Sequence, residues 1–198
     1  MISVQDFELR IGARELVRPV SFSIPNGTTT GLVGRNGAGK TTMMRLLAGE
    51  DDRGAAEYSG KIHRSGTWAY LPQDTSGPTQ EPTGIQRVLS VRGIDSLLRS
   101  IKKAEKEMSE LYGARQQKAM ERYVRLDQEF TMSGGWAAHS EAAQIAAALG
   151  LDEQTLGQDI KTLSGGQRRR VELARVLFSQ AETLLLDEPT NHLDHDSI

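Results

Sequence analysis

A chain of 198 residues without cysteine, 37% hydrophobic and 25% charged, has the composition of one cytoplasmic globular domain and excludes disulfides and cysteine-ligated zinc. The formal net charge of −2 does not indicate nucleic acid binding, although it does not exclude a local basic face. The sequence has neither a signal peptide nor an apolar run near the ~20 residues of a membrane span, so we expect no membrane insertion.

The N-terminal region predicts three strands. Residues 2–9 alternate in a way that places Ile2 and Phe7 on opposite faces of a strand. Residues 20–24 alternate more cleanly and predict a second strand. The short apolar segment 29–33 predicts a third strand, directly before the first motif.

Residues 34–42 fit the phosphate-binding pattern G-x-x-x-x-G-K-[ST] and lead into a predicted helix over residues 42–49. Glycines let such a loop aim its N–H groups at phosphate, and the helix adds its positive end. Lys40 is expected to reach the β- and γ-phosphates and Thr41 to bind Mg²⁺. A plain Gly-rich turn is the alternative. The candidate nucleotide-binding residues are Gly34, Asn36, Gly37, Ala38, Gly39, Lys40, Thr41 and Thr42.

Two short strands are predicted after a polar, turn-like segment at residues 51–60. They cover residues 61–63 and 67–71, and Gln73 follows the second of them. A glutamine in that place is able to reach a metal or an attacking water, or is simply a polar turn residue. Residues 75–83, with two prolines and a glycine, predict a linker.

Residues 85–149 predict helices, including a hairpin. Apolar residues recur at helical spacing on either side of Gly113, which indicates two amphipathic helices. Between Arg99 and Glu129 the chain carries eight basic and six acidic residues. These charged residues belong either to a solvated helical subdomain or to an arm that contacts a large partner. An alanine-rich helix is predicted over residues 137–149.

A second motif, Leu-Ser-Gly-Gly-Gln at residues 163–167, precedes another predicted helix. Ser164 suits the N-cap, and two glycines at a helix start make an anion site. The buried stripe of this helix is predicted to be Val171, Ala174, Leu177 and Phe178. Its polar face is predicted to hold Arg168, Arg169, Arg170 and Arg175.

A third motif is an apolar run, residues 183–186, that ends in two carboxylates. Such a run predicts a parallel strand buried on both faces, and ligands bind at the carboxyl ends of parallel strands. We therefore expect Asp187 near Thr41, holding Mg²⁺ through water, and Glu188 orienting or deprotonating the attacking water. An acidic turn is the alternative.

Together these motifs resemble the nucleotide-binding domain of an ATP-binding cassette (ABC) protein. The resemblance implies a P-loop NTPase fold of ABC type, with a mixed sheet core, an antiparallel β subdomain and an inserted helical subdomain at residues 84–150. The stretch Asp-Glu-Pro-Thr-Asn-His-Leu-Asp is similar to the ABC-F family, whose members carry two cassettes and act on ribosomes. The segments that carry the resemblance are residues 34–42, 73, 163–167, 184–188 and 193–194.

The resemblance implies a role for each motif. Lys40 and Thr41 would serve phosphates and Mg²⁺, Gln73 would sense metal and water, and Asp187 would bind Mg²⁺. Glu188 would be the catalytic base. The signature residues would hold the γ-phosphate of a nucleotide bound to an opposite cassette; they are Ser164, Gly165, Gly166 and Gln167.

The chain departs from the ABC pattern in three respects. Ile11 stands where the family stacks adenine on an aromatic ring, which puts nucleotide discrimination in question. The family's switch histidine would lie beyond Ile198, and neither His192 nor His195 matches it. No second phosphate-binding pattern occurs. We therefore expect an N-terminal fragment of a longer ABC-F protein, or a truncated product, that alone hydrolyses ATP slowly or not at all and exposes an aggregation-prone strand edge.

Three functions compete. The leading one is a soluble ATPase that couples ATP to a change on the ribosome, in translation or in protection against antibiotics. The second is the ATPase subunit of a membrane transporter. The third is a non-hydrolysing nucleotide-binding piece.

Overall fold

A computed structural model of the chain describes residues 1–50, 56–74 and 81–189. The described residues form two compact units. The first contains those of residues 1–74 and 180–189, and the second those of residues 81–179. The predicted fold class is confirmed by the mixture of antiparallel sheet, parallel strands and a helical region.

An antiparallel sheet of three strands dominates the first unit, in the order β2-β1-β3. The strands are β1 (Ile2–Ile11), β2 (Arg14–Ile24) and β3 (Ala56–Arg64). Each is longer than predicted, because pairing with β1 extends the neighbouring strands beyond their own apolar alternation. The turn predicted at residues 51–60 is wrong for 56–60, which belong to β3, while 51–55 lie outside the described residues.

A bulge in β1 explains why the two sides predicted for this strand are both buried. Val4 and Phe7 have almost no solvent exposure, and the pairing register shifts between them. Asp6 lies in the bulge with φ 47°, and its backbone N–H donates to the Ser21 hydroxyl at 2.9 Å. Gly60 lies so close that a Cβ there would meet the Asp6 carbonyl oxygen at 2.4 Å. The extra residue therefore reverses the alternation and turns Phe7 toward the core.

The predicted parallel strand is confirmed. β4 (Trp68–Leu71) pairs in parallel with β5 (Thr183–Leu186). Burial on both faces is wrong, because Leu184 is 38% exposed while Leu185 is buried. The strand predicted at residues 29–33 is also wrong. Among the described residues these positions join neither sheet, and Val33 is 92% exposed, so no neighbouring strand satisfies their backbone.

Helix α1 (Lys40–Ala48) packs on this unit through Met43, Leu46 and Leu47, which recur at helical spacing. Gly49 ends the helix in the left-handed conformation, as predicted. Arg64 supplies a further cap, because its Nε donates to the Leu47 carbonyl at 2.6 Å. Such caps satisfy carbonyls that a helix end leaves without partners.

Seven further elements make the second unit helical. They are α2 (Gly84–Ser90), α3 (Ile94–Glu110), α4 (Ala114–Met132), α5 (Gly135–Ala148), α6 (Glu153–Gly157), a 3₁₀ turn (Ile160–Thr162) and α7 (Gly165–Phe178). The predicted hairpin is confirmed as α3 and α4, which an Arg122–Glu107 ion pair joins. No helix in the described part of the chain is long and apolar enough to cross a membrane.

Glu172 of α7 pairs with Arg87 of α2 and, within its own helix, with Arg175. Arg87 of α2 donates to both carboxylate oxygens of Glu172, at 2.6 and 3.3 Å, and Arg175 donates at 2.7 Å. Two predictions for α7 are corrected. Arg169 is only 2% exposed and so does not belong to the polar face, and Leu177 is 41% exposed while Val176 is buried in its place. The buried side of α7 therefore includes Arg169, Glu172 and Val176.

Candidate nucleotide and metal site

The phosphate-binding loop adopts a conformation that only glycine accepts easily at two positions. Gly37 has φ +75° and Gly39 has φ +89°. A Cβ on Gly39 would lie 3.1 Å from side-chain carbons of Leu9 and Leu16. The hairpin of β1 and β2 therefore supports the loop directly, at the residue before α1 begins.

The ammonium group of Lys40 contacts the backbone of the phosphate-binding loop. Its Nζ donates to the carbonyl oxygens of Gly34 at 2.9 Å and Arg35 at 3.1 Å. Neutral carbonyls are weaker acceptors for an ammonium group than ionised oxygens. A phosphate at this loop would therefore compete well for Lys40, which fits the predicted role.

Three predicted residues form one hydrogen-bonded series. The Thr41 hydroxyl donates to Gln73 Oε1 at 3.2 Å, and Gln73 Nε2 donates to Glu188 Oε2 at 3.0 Å. Thr41 lies in the first turn of α1, Gln73 follows β4, and Glu188 follows β5. The carboxyl ends of two parallel strands and the start of one helix thus meet at Gln73.

Pairing of the parallel strands sets the position of the carboxylates. The Asp187 N–H donates to the Leu71 carbonyl at 3.0 Å, so the ladder continues one residue past β5. Asp187 is buried, with 4% of its surface exposed. Glu188 has φ +50°, a conformation that is uncommon for residues with a side chain and that often occurs at functional sites.

The oxygen atoms at this place fit Mg²⁺. Thr41 Oγ1 and Gln73 Oε1 are 3.2 Å apart. Adjacent ligands of an octahedral ion with bonds of ~2.1 Å lie about 3 Å apart, so both oxygens suit one ion. The described residues contain no group of three or more His, Cys, Asp or Glu able to hold a metal. Such a site would complete its shell with phosphate and water oxygens, as Mg²⁺ sites usually do.

Sequence reasoning missed two residues beside this site. Tyr70 of β4 is 8% exposed, and Arg45 of α1 acts on the pKa of its hydroxyl. Burial raises the pKa of Tyr70 to about 12; the Asp187 carboxylate adds to the rise, and Arg45 opposes it. The only sequence signal was spacing, since Tyr70 precedes Gln73 by three positions and Arg45 follows Thr41 by one helical turn.

The signature stretch lies in the second unit. Ser164 caps α7 as predicted, and it does so in a capping box: its hydroxyl accepts from the Gln167 N–H at 3.2 Å, and Gln167 Oε1 accepts from the Ser164 N–H at 2.9 Å. Gly165 and Gly166 form the first turn without side chains. This leaves a helix start suited to an anion.

Two predicted features remain, Ile11 and the Asn-His-Leu-Asp stretch. Ile11 ends β1, opposite Arg14, and is 41% exposed, so an aliphatic surface stands where the family places an aromatic ring. The Asn-His-Leu-Asp stretch at residues 191–194 lies outside the described residues.

A sequence profile described as that of the ABC transporter family matches residues 17–191. The chain belongs to this family. It is an ATP-binding domain of ABC type, and ABC domains generally use Mg²⁺ with ATP. The phosphate-binding loop, Gln73, the signature and the carboxylates all lie within the matched residues.

Similar proteins include several bacterial ATP-binding proteins. YfmM of Bacillus subtilis (strain 168), an ABC transporter ATP-binding protein, is 34% identical over 208 residues. TlrC of Streptomyces fradiae, a tylosin resistance ATP-binding protein, is 33% identical over 198 residues. Both matches cover 100% of this chain, which spans 38% of YfmM and 36% of TlrC.

Solved structures of ABC cassettes share the fold. The dimeric structure of MJ0796, a bacterial ABC transporter cassette, superposes with a TM-score of 0.63 at 19% identity, covering 100% of this chain and 78% of that one. An ABC transporter ATP-binding protein from Pyrococcus furiosus gives a TM-score of 0.64 at 18% identity, with 99% and 79% covered. At these identities the likeness supports the fold alone.

Proposed function

We propose that the chain is the first cassette of a cytoplasmic ABC-F protein that binds ATP with Mg²⁺, hydrolyses it to ADP and phosphate, and acts on the ribosome. The observation that carries the hydrolytic part is the series Thr41–Gln73–Glu188, which joins a candidate metal ligand, a sensor and a base. The ABC-F part is supported by the Asn-His-Leu-Asp stretch and by the similarity to TlrC across the whole chain.

Each candidate site residue of the first unit has its own role in this proposal. Lys40 leaves the loop carbonyls and binds the β- and γ-phosphates. Thr41, Gln73 and Asp187 would hold Mg²⁺, which would neutralise charge on the phosphate oxygens. Glu188 takes a proton from the attacking water, while the amide of Gln73 holds its carboxylate in place.

A second cassette completes the site in this proposal. The described N-terminus of α7, with Ser164 as its cap, presents amide groups suited to the γ-phosphate of a nucleotide held by the other cassette. The dimeric state of MJ0796, another ABC cassette, supports such pairing. We further propose that residues 1–198 form one cassette, with 84–150 as its helical subdomain.

The hairpin of α3 and α4 is the proposed contact with ribosomal RNA. Ion pairs already engage part of its basic charge: Arg122 with Glu107, Arg99 with Asp95, and Lys106 with Glu110 at 3.7 Å. Other basic side chains are exposed and make no ion pair within residues 81–189; they are Lys102, Lys103, Arg115, Lys118 and Arg125. These are the groups best placed to replace counterions on phosphate.

The alternative is the ATPase subunit of a membrane transporter, which the family description favours. Both functions require the same Mg²⁺-ATP chemistry, so the partner decides between them. A ribosomal role predicts binding to RNA that weakens with salt, whereas a transporter role predicts binding to a membrane protein.

Sedimentation with ribosomes tests the proposal. The experiment uses a chain extended to include the second cassette, carrying Glu188→Gln and the matching change in that cassette so that bound ATP persists. ATP and Mg²⁺ are added at low and at high salt, and the unsubstituted protein with ADP is the control.

We expect the variant to sediment with ribosomes only when ATP is present, and less at high salt. Absence of ATP-dependent sedimentation at low salt contradicts the ribosomal role. Co-purification with membranes in the same preparation would instead support the transporter role.

A further inference from the structure

Two side chains from neighbouring strands cap the last turn of the phosphate-binding helix α1. Arg64, the last residue of β3, donates from its Nε to the Leu47 carbonyl at 2.6 Å and from its Nη2 to the Leu46 carbonyl. Trp68, the first residue of β4, donates from its indole nitrogen to the Ala48 carbonyl at 3.0 Å. A helix end leaves such carbonyls without partners inside the helix, so these side chains help to determine where this end lies.

The two capping side chains also contact each other. The Arg64 guanidinium carbon lies 5.9 Å from the centroid of the Trp68 ring, which is within the range of a cation–π interaction. A cation beside the C-terminus of a helix is in addition favoured by the helix dipole. The pair therefore acts as one unit that binds the end of α1.

Strand β4 is bonded to α1 near both ends. Its first residue, Trp68, donates to Ala48 at the C-terminal end of the helix. Gln73, two residues beyond the strand, accepts from the Thr41 hydroxyl in the first turn of the helix. The strand and the helix thus run in opposite directions along each other. A displacement of α1 along β4 would change the separation of 3.2 Å between the two candidate metal ligands at Thr41 and Gln73.

We propose that Trp68 and Arg64 are positioning residues, which fix α1 against β4 at the spacing that the Mg²⁺ ligands require. The inference rests on the proposed metal role of Thr41 and Gln73. Mg²⁺ demands nearly ideal octahedral geometry, so a small displacement of one ligand weakens its binding. The nucleotide is less sensitive, because many backbone N–H groups of the loop share the contacts with its phosphates. Residues that orient metal ligands are typically worth about 10–100-fold in metal affinity.

The test is a Mg²⁺ titration of nucleotide binding by the full chain. Trinitrophenyl-ATP is bound at increasing Mg²⁺ and, separately, in EDTA. Trp68→Phe keeps an aromatic ring and removes the indole N–H. Arg64→Lys keeps the charge and removes the planar fork of donors. The double variant combines both changes, and circular dichroism checks that each protein is folded.

The matched controls make the same chemical changes elsewhere. Trp136→Phe removes an indole N–H that donates to the Thr131 hydroxyl in the second unit. Arg18→Lys changes an arginine of β2 that pairs with Glu15 and whose side chain is 91% exposed. Neither control contacts α1 through a described hydrogen bond, so both should keep the Mg²⁺ midpoint of the parent.

We expect each single variant to raise the Mg²⁺ concentration at half-saturation about threefold and the double variant about tenfold, with binding in EDTA unchanged. A double variant with the Mg²⁺ midpoint of the controls overturns the inference. Equal weakening of nucleotide binding in Mg²⁺ and in EDTA also overturns it, because the caps would then serve only the stability of the helix. If the double variant does not fold, the two single variants decide by the same criteria.

Gln73→Ala separates this inference from the proposed metal role. If Gln73→Ala raises the Mg²⁺ midpoint and the capping variants do not, only the positioning role is overturned. If Gln73→Ala leaves the midpoint at the value of the parent, the metal role of Gln73 is overturned and the inference falls with it.

Discussion

The amide nitrogen of Gln73 donates a 3.0 Å hydrogen bond to the carboxylate of Glu188, although 115 positions separate the two residues. The same side chain accepts from the Thr41 hydroxyl. Gln73 therefore contacts, through one amide group, both the start of the phosphate-binding helix and the candidate base. An event at the metal site that moves Gln73 would also move Glu188.

Gly39→Ala is expected to destabilise the chain by about 1–3 kcal/mol, because its φ of +89° strains a residue with a Cβ and that Cβ would press on Leu9 and Leu16. Urea unfolding measures the decrease in stability. The control is Gly27→Ala, where φ is +73° but a Cβ would meet nothing within 4 Å. Equal decreases in the two variants would show that packing under the loop adds nothing.

Glu172→Gln is expected to cost about 3 kcal/mol at pH 7, because it breaks the buried ion pair with Arg87 and leaves that guanidinium only Glu81 as a described anionic partner. Urea unfolding of both proteins checks this. The control is Glu110→Gln, an exposed partner of Lys106, with an expected cost below about 1 kcal/mol. A decrease in stability for Glu172→Gln no larger than that for Glu110→Gln would contradict the stabilisation expected from the buried Arg87–Glu172 pair.

The cost of Glu172→Gln is also expected to depend on pH. Burial raises the pKa of Glu172, but the Arg87 hydrogen bond and the charges of Arg175 and Arg87 outweigh it, so the pKa lies below its ordinary value of 4.5. The stabilisation is thus complete above pH 4.5 and is lost as pH falls through the lower folded pKa. The difference between parent and variant should shrink over that window, and a constant difference would contradict it.

The Lys102→Gln, Lys103→Gln double variant is expected to weaken RNA binding and to lower the slope of log affinity against log salt by about 0.7–0.9 for each phosphate that no longer binds a lysine. Filter binding at several salt concentrations measures the slope. Arg122→Gln is the control, since Arg122 already pairs with Glu107. Identical slopes in the parent and the double variant would place the RNA-binding surface elsewhere.

Ile11→Tyr is expected to tighten ATP binding by about fivefold or more, because stacking on an aromatic ring is worth about 1–3 kcal/mol per base. GTP should gain similarly, since every base has a π face. Competition binding with both nucleotides measures the gain, and Ile11→Val is the control. Unchanged affinity would mean that the base does not lie at Ile11.

The motifs were predictable because each depends on local chain chemistry. Glycine conformations in the phosphate-binding loop, the apolar stripe of α1 and the N-cap at Ser164 all follow from neighbouring residues. The contact of Gln73 with Glu188 was not predicted, although the parallel strand before Glu188 was, and strands that run parallel bring their carboxyl ends together.

The remaining features depend on contacts between distant segments. The bulge at Asp6 follows from pairing with β3, which a single strand's alternation does not contain. Residues 29–33 are apolar, yet a strand needs a hydrogen-bonding neighbour as well as apolar residues. Arg169 looks like a surface residue by type, yet it is only 2% exposed, and its burial depends on packing that the spacing of apolar residues along α7 does not contain.

Equilibrium ATP binding tests the central claim, that residues 34–42 with Gln73 and Asp187 form a Mg²⁺-ATP site. Four proteins are compared with and without Mg²⁺: the parent, Lys40→Met, Asp187→Asn and Glu188→Gln. We predict that Lys40→Met lowers affinity more than about tenfold in both conditions, since it removes a charge-assisted bond to phosphate. We also predict that Asp187→Asn abolishes the Mg²⁺ effect and that Glu188→Gln binds like the parent. Parent affinity in Lys40→Met, or no ATP binding by the parent at all, would contradict the claim.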